Sequence, residues 1–346
     1  MIGSGADWLP LLELQARERL PAAVYDWIAG GAGHEDTLAG NAAAWRALLL
    51  RPDALQDVAN VDTATTLLGT AVNTPIAVAP SGFHSLSHPD AEIATASGTA
   101  DLGALFTLSS RSSLRIEAIA PHCGPWWYQT YVLRDRALTA TMLQRAAGAG
   151  ARAVVLTVDA PTLGRRRRNR DSSLVSKALL EVNTGPVKDA ALLEQAADVV
   201  VADIAWLAEV SGLPVVVKGV VRPDTAVRCV DAGAAAVWVS NHGGRQLDGT
   251  VSTAAALTEV VGAVAGSADV YVDGGICSGT DALRALALGA RAVFVGRAPL
   301  WGLAVAGQQG VREVLTTLQI ELVAAMKLVG RASVVDLDID LIVPGV

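Results

Sequence analysis

Two side chains suited to proton transfer and anion binding lie three residues apart in the stretch 239–248, which reads VSNHGGRQLD. His242 supplies an imidazole, a common acid and base in proteins, and Arg245 supplies a guanidinium with a planar array of N–H donors. Together they are suited to taking a proton from an anionic substrate. The alternative interpretation is a capped turn in which both side chains face water.

Further polar residues follow other short apolar runs of the chain. Asp159 and the arginine run 165–168 come after the run 153–158, and Lys218 ends the run 215–217. The chain has only four lysines, and a cation beside an apolar strand usually has an anionic or electron-rich partner. We therefore interpret Lys218 as functional, with a solvated lysine at a strand end as the alternative.

Glycine-rich sequences follow the last two apolar runs. They are DGGICSG at 273–279 and VGR at 295–297. Glycine lets backbone N–H groups approach a ligand closely, and the loops after the last two strands of a barrel commonly hold a phosphate group. These sequences predict a phosphorylated ligand, with tight turns between strands and helices as the alternative.

From Pro75 onward, short apolar runs alternate with alanine-rich segments of helical length, which is the pattern of βα units. The predicted strands are 76–79, 105–108, 127–131, 153–158, 214–217, 235–239, 270–272 and 292–295. Eight such runs indicate an α/β fold, a (β/α)8 TIM barrel whose strands end at one shared face. The alternative is an open doubly wound sheet, but this chain lacks the G-x-G-x-x-G turn that a dinucleotide-binding sheet usually carries after its first strand.

Two other regions complete the predicted architecture. Residues 8–30 show apolar residues at helical spacing on both sides of Pro21, which predicts a short N-terminal extension of two helices. The segment 170–193 lacks clear periodicity and follows the fourth strand, where a barrel can carry an active-site loop. We predict a single domain over residues 1–346.

Composition and charge exclude several classes of function. The chain has 346 residues, of which 51% are hydrophobic, and a net charge of −7, which argues against a general nucleic-acid-binding protein. No apolar run approaches the roughly 18 residues of a membrane span, so we expect no membrane partner. Cys123, Cys229 and Cys277 lack metal-ligand spacing, which predicts free thiols and no metal site. We expect a cytoplasmic location, because the N-terminus lacks a signal-peptide pattern.

Five sequences at these strand ends, SNHGGRQLDG, TVDAPTLGRR, VVKGV, DGGICSG and VFVGR, resemble the FMN-dependent 2-hydroxy acid oxidase and dehydrogenase family. That family includes glycolate oxidase, lactate oxidase and mandelate dehydrogenase, and the similarity runs from about Pro21 to Gly330. The resemblance implies an FMN-binding barrel that oxidises a 2-hydroxy acid to a 2-oxo acid. It also implies a homo-oligomer, a tetramer by family pattern, and dioxygen or another electron acceptor as a partner.

The resemblance implies catalytic and cofactor-binding roles for individual residues. His242 is the base that takes a proton from the substrate hydroxyl or from its α-carbon, and Asp159 stabilises the charged imidazole. Tyr131 matches the active-site tyrosine of the family, and Lys218 matches a lysine at the N1 and O2 edge of the flavin. The other residues that match flavin-contacting positions are Ala79, Pro80, Ser81, Ser109, Gln129, Thr157, Ser240, Asp273, Gly275, Gly296 and Arg297.

The implied substrate contacts include departures from the family pattern. Arg245 and Arg166 match residues that bind the substrate carboxylate. Trp27 stands where the family has a second tyrosine, Arg111 stands where an aromatic or small residue often covers the substrate, and Cys277 replaces an arginine that helps to hold the FMN phosphate. The loop after the fourth strand is also shorter than in the family.

These departures favour a bulky 2-hydroxy acid with a polar or anionic distal group. An unpaired guanidinium at Arg111 in a partly enclosed site is costly, so an anionic or polar partner is expected. The alternative is that Arg111 folds outward to solvent or pairs with a nearby acid. Two other functions stay open at this point: an FMN barrel that acts on an amine or a phosphorylated compound, and a flavin-binding protein that has lost catalysis.

Overall fold

The computed structural model describes residues 7–168 and 174–344. Its centre is a closed barrel of eight parallel strands, in which the eighth strand pairs with the first through Val293 and Ile76. The strands in chain order are β1 (Ile76–Val78), β2 (Phe106–Ser109), β3 (Trp126–Thr130), β4 (Val154–Thr157), β5 (Val215–Val220), β6 (Ala236–Val239), β7 (Asp269–Val272) and β8 (Ala292–Val295). Each predicted apolar run forms one of these strands, so the predicted (β/α)8 barrel is confirmed.

Helices follow every strand and cover the outside of the barrel. The helix after β2 is a single turn, Ile116–Ile119. The longer helices after the other strands are, in chain order, Ala91–Ala100, Arg136–Gly148, Asp203–Ser211, Pro223–Asp231, Thr253–Val264, Gly279–Ala287 and Arg297–Val329. The last of these is kinked at Ala306 and Gly307, whose backbone angles are not helical. The predicted loop after β4 contains one helical turn, Lys177–Leu180, and a 3-10 turn, Ala190–Leu193; its residues 169–173 lie outside the described part.

The N-terminal extension consists of three helices rather than the two predicted. Helices α1 (Trp8–Arg19) and α2 (Ala22–Ala29) flank Pro21 as expected, and α3 (Asp36–Ala47) follows the glycine-rich turn. The Trp8 indole donates a hydrogen bond to the Glu321 carboxylate at 2.7 Å, which fixes α1 on the last helix. The third helix was missed because Gly40 and several small residues weaken its helical pattern.

Two pairs of short antiparallel strands complete the structure. Leu48–Leu50 pairs with Ile342–Pro344, which ties the C-terminal segment to the extension. Thr65–Leu67 and Thr70–Val72 form a hairpin. Buried Leu67 and Val72 of this hairpin pack into the interior of the barrel. The hairpin therefore seals the end of the barrel opposite the strand ends that carry the predicted site.

Aromatic side chains fill the inside of the barrel. Trp127, Trp238, Tyr271 and Phe294 are each no more than 1% exposed. The ring centroids of Trp238 and Phe294 are 3.7 Å apart, and those of Trp127 and Tyr271 are 5.3 Å apart. Since these rings come from four different strands, their packing sets the diameter of the barrel and supports the strand ends above them.

The described residues lack membrane-spanning helices and metal-binding clusters. Within 7–168 and 174–344, no helix has both the length and the apolar character needed to cross a bilayer. Across those residues, histidine, cysteine, aspartate and glutamate side chains form no group of three that is suited to holding a metal ion.

We predict that Trp127→Ala lowers the free energy of unfolding by about 3–5 kcal/mol, because it leaves a cavity among rings that cannot collapse onto one another. Urea unfolding followed by circular dichroism measures this loss. The matched control is Trp206→Ala, at a half-buried site where the indole stacks with Arg136 at 5.3 Å. This substitution should cost about 1 kcal/mol. Equal losses at both sites would contradict the core role of Trp127.

Candidate active site

A cavity of about 1130 Å³ opens at the carboxyl ends of the barrel strands. The predicted site residues that line it are Trp27, Ala79, Pro80, Ser81, Ser109, Arg111, Gln129, Tyr131, Thr157, Arg166, Lys218, His242, Arg245, Asp273, Gly275, Gly296 and Arg297. The two other predicted residues lie behind the cavity lining: Asp159 is hydrogen-bonded to His242, and Ser240 is hydrogen-bonded to Lys218. The fold therefore brings the predicted residues together at one site.

The cavity also has walls that the sequence analysis did not assign. Glu13 of α1, Phe83 after β1, Leu193 of the loop after β4 and Trp301 of the last helix line it. Glu13 and Leu193 are distant in sequence from the strand-end motifs, whereas Phe83 and Trp301 follow shortly after the ends of β1 and β8. Whether each of them reaches the cavity depends on how the extension, the loops and the last helix dock. No local pattern marks them, so motif-based reasoning missed them.

A left-handed turn follows β6 and aims His242 into the site. His242, Gly243 and Gly244 have φ angles of 57°, 61° and 75°. A Cβ atom on Gly244 would lie 2.6 Å from the Leu38 backbone nitrogen, so α3 packs directly against this turn. Glycine is required there both by conformation and by space. The non-glycine residue His242 takes the same conformation, which is uncommon and often marks a functional position.

The imidazole of His242 is held by a buried carboxylate. Its Nδ1 lies 2.9 Å from Asp159 Oδ1, and His242 lines the cavity while Asp159 lies behind it. Gly219, with a φ of 107°, forms a bulge in β5 beside Asp159, and a Cβ atom there would lie 2.7 Å from that side chain. Nδ1 is thus engaged, and Nε2 is the nitrogen available to a substrate in the cavity.

Opposing effects set the protonation of Asp159. Burial raises the pKa of this carboxyl, but the charge and hydrogen bond of His242 and the charge of Lys218 lower it more, so the pKa lies below its ordinary value. Asp159 is therefore ionised at neutral pH. An ionised carboxylate at Nδ1 orients the ring and stabilises it once Nε2 has taken a proton.

A second buried network joins the ends of β5, β6 and β7. Lys218 Nζ donates to Ser240 Oγ at 2.8 Å and lies 3.0 Å from Asp273 Oδ2. Ser240 Oγ in turn donates to Asp273 Oδ1 at 2.7 Å, and it accepts from the backbone N–H of His242 at 3.0 Å. The lysine that the sequence analysis interpreted as functional is therefore a buried cation with an anionic partner, at the cavity wall.

Hydrogen bonds also join the ends of β2, β3 and β4. Gln129 Oε1 accepts from Ser109 Oγ at 3.1 Å, and Gln129 Nε2 donates to Thr157 Oγ1 at 3.0 Å. All three residues line the cavity. The chain of bonds fixes the orientation of the Gln129 amide, so this wall presents a defined set of polar groups to a ligand.

Arg245 and Arg297 both donate to the carboxyl end of α2. Arg245 Nη1 donates to the carbonyls of Ile28 and Gly30, each at 2.9 Å, and its Nη2 donates to that of Trp27 at 2.8 Å. Arg297 Nε donates to the Ile28 carbonyl at 3.1 Å. A guanidinium has five N–H donors, so each arginine keeps donors for a ligand.

Positive charge is concentrated in this part of the cavity. Burial and the charges of Arg166 and Arg297 hold the pKa of Arg245 well below its ordinary value. Burial lowers the pKa of Arg297 to about 10, although Glu13 opposes the shift. The Nε of Arg166 is buried without a partner among the described residues. Clustered cations that lack carboxylate partners indicate that anionic ligands bind here.

Tyr131 lies among these charged groups at the end of β3. Burial, followed by the Asp159 charge, raises the pKa of its phenol to about 12, while Arg111, Arg245 and Arg166 oppose the shift. The phenol therefore keeps its proton at neutral pH. It is an O–H donor within electrostatic reach of the carboxylate that orients His242.

Comparisons with known proteins agree with this geometry. A family model described as FMN-dependent dehydrogenase matches residues 16–344. The chain belongs to this family. A peroxisomal (S)-2-hydroxy-acid oxidase of Oryza sativa subsp. japonica is 45% identical over 332 residues, which cover 92% of this chain and 91% of that protein. An L-lactate oxidase of Nostoc sp. is 40% identical, with 94% and 95% covered. A solved mandelate oxidase with (S)-4-hydroxymandelic acid superposes with a TM-score of 0.88 at 40% identity, with 94% and 96% covered.

The cofactor of this family is FMN, and the cavity has the features that FMN requires. Its volume suits a ligand of that size. The helix Arg297–Val329 starts at Gly296 without a side-chain cap, which leaves its N-terminal N–H groups available to a phosphate. By contrast, Ser278 and Asp281 already cap the helix after β7. These contacts favour the end of β8, beside Arg297, over the end of β7 as a place for a phosphate.

The glycines after β7 also have a structural role, besides lining the end of the cavity. A Cβ atom on Gly275 would lie 2.7 Å from the Asn41 carbonyl carbon, so α3 packs against the loop at this point. The Trp45 indole donates to the Gly274 carbonyl at 2.8 Å and holds α3 there. Close packing on α3 accounts for Gly275, and close approach to a phosphate is not needed to explain it.

Cys277 lies at the same end of the cavity and supplies no charge. Burial, and next the Asp281 carboxylate, raise the pKa of its thiol to about 11, so the thiol is neutral. Glu13 adds a negative charge that acts on Arg297. This phosphate end therefore has fewer net positive charges than one with an arginine in place of Cys277.

We predict that Cys277→Arg lowers the Kd for FMN by about 10-fold, because it adds a charge-assisted hydrogen bond to the phosphate. Titration of the apoprotein with FMN, followed by quenching of flavin fluorescence, measures the Kd. Cys277→Ser is the control: it keeps the size and neutrality of the side chain and should leave the Kd within about twofold. An unchanged Kd for Cys277→Arg would contradict the prediction.

Proposed function

We propose that this protein oxidises a 2-hydroxy acid to a 2-oxo acid with FMN as its cofactor. The observation that carries the proposal is the His242–Asp159 pair, whose Nδ1–Oδ1 distance is 2.9 Å, at a cavity wall shared with Arg166 and Arg245. The pair supplies a base, and the arginines supply a site for a carboxylate. The names of the relatives, which are oxidases of 2-hydroxy acids, support the same reaction.

The chain's own residues position the substrate and move its proton. Arg166, with its unpartnered Nε, and the free donors of Arg245 bind the carboxylate, which places the substrate hydroxyl carbon beside His242. His242 Nε2 accepts one proton, and ionised Asp159 stabilises the imidazolium that forms. The protonated phenol of Tyr131 donates a hydrogen bond to the substrate oxygen.

The source of the proton distinguishes two routes. In one, His242 takes the hydroxyl proton while the α-hydrogen leaves as hydride; in the other, it takes the α-proton and leaves a carbanion. FMN, when bound, supplies the acceptor for the two electrons that leave the substrate. Both routes use the same base, and the buried cation Lys218 at the cavity wall stabilises negative charge that arises near it.

The intact catalytic pair argues against a protein that has lost catalysis. Trp27 and Cys277, the departures that prompted that alternative, leave the His242–Asp159 hydrogen bond in place. Trp27 also keeps contact with the carboxylate site, since its ring lies 5.4 Å from the Arg245 guanidinium. The remaining alternative is a different substrate. It is tested by comparing the rates at which amines, phosphorylated compounds and 2-hydroxy acids reduce the flavin under anaerobic conditions.

The proposal includes partners, assembly and location. Dioxygen or another acceptor reoxidises the flavin. Stopped-flow measurement of the reoxidation rate with dioxygen and with a quinone distinguishes an oxidase from a dehydrogenase. Homo-oligomer formation is supported by exposed apolar side chains, among them Leu11 and Leu14 of α1 and Leu328. Light scattering of the purified protein tests a tetramer. A cytoplasmic location remains part of the proposal and is tested by cell fractionation.

We predict that His242→Gln abolishes substrate-driven flavin reduction, with a rate loss on the order of 10²–10⁴, while FMN stays bound. Asp159→Asn should lower the rate as well, because the amide neither stabilises an imidazolium nor fixes the Nδ1–H tautomer. Anaerobic stopped-flow absorbance with a panel of 2-hydroxy acids measures the rate. The control is His122→Gln, at an exposed position, and the flavin in this variant should be reduced at the wild-type rate. Near-normal reduction in His242→Gln would remove His242 from the mechanism.

A further inference from the structure

Arg111 is a cavity-lining cation to which the proposed function gives no task. Burial lowers the pKa of this guanidinium, and the groups that oppose the shift are the Tyr131 and Tyr128 phenols rather than carboxylates. In the described parts of the chain, no aspartate or glutamate forms an ion pair with it. Since a partly buried charge without a counterion is costly, the missing charge is expected from a ligand.

The contacts of Arg111 leave most of its donors free. Its Nη2 donates to the Leu193 carbonyl at 2.6 Å, which is its single side-chain hydrogen bond among residues 7–168 and 174–344. The neighbouring Glu194 is not its partner, because that carboxylate pairs with Arg134 at 2.7 Å. As far as the described residues show, four of the five N–H donors of Arg111 therefore remain for a ligand in the cavity.

The backbone around Arg111 is fixed, so the side chain has a defined position. The backbone N–H of Phe83 donates to the Arg111 carbonyl at 2.9 Å. The buried carboxylate of Glu92 ties both loops together, because its Oε1 accepts from the backbone N–H groups of His84 at 3.0 Å and of Ser113 at 2.8 Å. A preorganised cation binds an anion with little loss of conformational entropy.

Aromatic rings lie between Arg245 and the loop that carries Arg111. The Trp27 ring lies 5.4 Å from the Arg245 guanidinium, and the ring centroids of Trp27 and Phe83 are 6.1 Å apart. Phe83 then bonds through its backbone to Arg111. The charges that lower the pKa of Arg245 are those of Arg166 and Arg297, and Arg111 is not among them. Arg111 is therefore set apart from the cation cluster that binds the first carboxylate in the proposed function.

We propose that Arg111 binds a second anionic group of the substrate, which makes the preferred substrate a 2-hydroxy acid with a distal carboxylate. This inference rests on the proposed function for the position of the first carboxylate at Arg245. The chain between the two carboxylates lies along Trp27 and Phe83, whose apolar faces suit methylene groups or a ring. Arg111 sets specificity by charge and takes no part in the chemical step.

The test compares ligands that differ only in the distal charge. One pair is 2-hydroxyglutarate against 2-hydroxyvalerate, and the other is 4-carboxymandelate against mandelate. For each, anaerobic stopped-flow gives the ratio of flavin reduction rate constant to Kd. In parallel, the Kd values of 2-oxoglutarate and 2-oxovalerate are measured from the perturbation of the flavin spectrum in the FMN-loaded protein. The specificity ratio is the reduction rate constant divided by Kd for the dianionic hydroxy acid, divided by the same quotient for the monoanionic one.

Three variants separate charge from loop anchoring. Arg111→Gln keeps a donor for the Leu193 carbonyl but removes the charge, and it should lower the specificity ratio about 10- to 100-fold. Arg111→Lys keeps the charge and should retain part of the ratio. Arg115→Gln removes an exposed arginine that pairs with Glu117. As the matched control, it should leave the ratio unchanged.

The outcomes for the two hypotheses are distinguishable. A wild-type ratio near one for both pairs, or an equal ratio in wild type and Arg111→Gln, would overturn the anion site. If no 2-hydroxy acid reduces the flavin, the proposed function is wrong, and the Kd values of the two oxo acids still decide the anion site. A Kd for 2-oxoglutarate that rises in Arg111→Gln and not in Arg115→Gln supports it.

Discussion

The left-handed turn at His242, Gly243 and Gly244 is the constraint on which the site depends. It reverses the chain directly after β6, so His242 faces Asp159 and Arg245 reaches back to the end of α2. Two glycines make the turn sterically accessible, and packing of α3 against Gly244 holds it. An extended continuation of β6 would carry His242 and Arg245 away from each other. The strained conformation of His242 is therefore a means of placing a base and a cation on one side of the cavity.

Electrostatic imbalance explains what the site binds. The acids at the cavity wall and behind it are already engaged: Lys218 pairs with Asp273 and His242 with Asp159. Glu194 pairs with Arg134, and Glu13 accepts a hydrogen bond from the Tyr25 phenol. Arg111, Arg245 and Arg297 in the same cavity have backbone carbonyls as their partners among the described residues. Carbonyl dipoles at a helix C-terminus stabilise a cation only partly, by an amount that is about 0.3–1 kcal/mol at exposed sites. Anions from a phosphate and a carboxylate complete the neutralisation, and this accounts for two anionic ligands at one end of a barrel.

The sequence predicts those parts of the structure that depend on local patterns. Buried strands appear as short apolar runs, and polar residues directly after them were placed at the cavity because all parallel strands of a barrel end on one face. Contacts between distant segments carry no such pattern. The bulge at Gly219 that makes room for Asp159, the helix α3 behind Gly275 and the bond from Arg111 to Leu193 each depend on how separate elements dock. Gly275 shows the limit clearly, since no local pattern in the sequence predicts that α3 packs against it.

The N-terminal extension is a structural component of the site. Carbonyls of Ile28 and Gly30 accept hydrogen bonds from Arg245, which follows β6, and from Arg297, which follows β8. One helix end thus holds the cation proposed for the substrate and the cation proposed for the cofactor phosphate. The docked helix therefore orients both buried guanidinium groups before any anion arrives. The barrel alone would present flexible arginines that lose side-chain entropy on binding, so the extension converts two strand-end residues into preorganised anion sites.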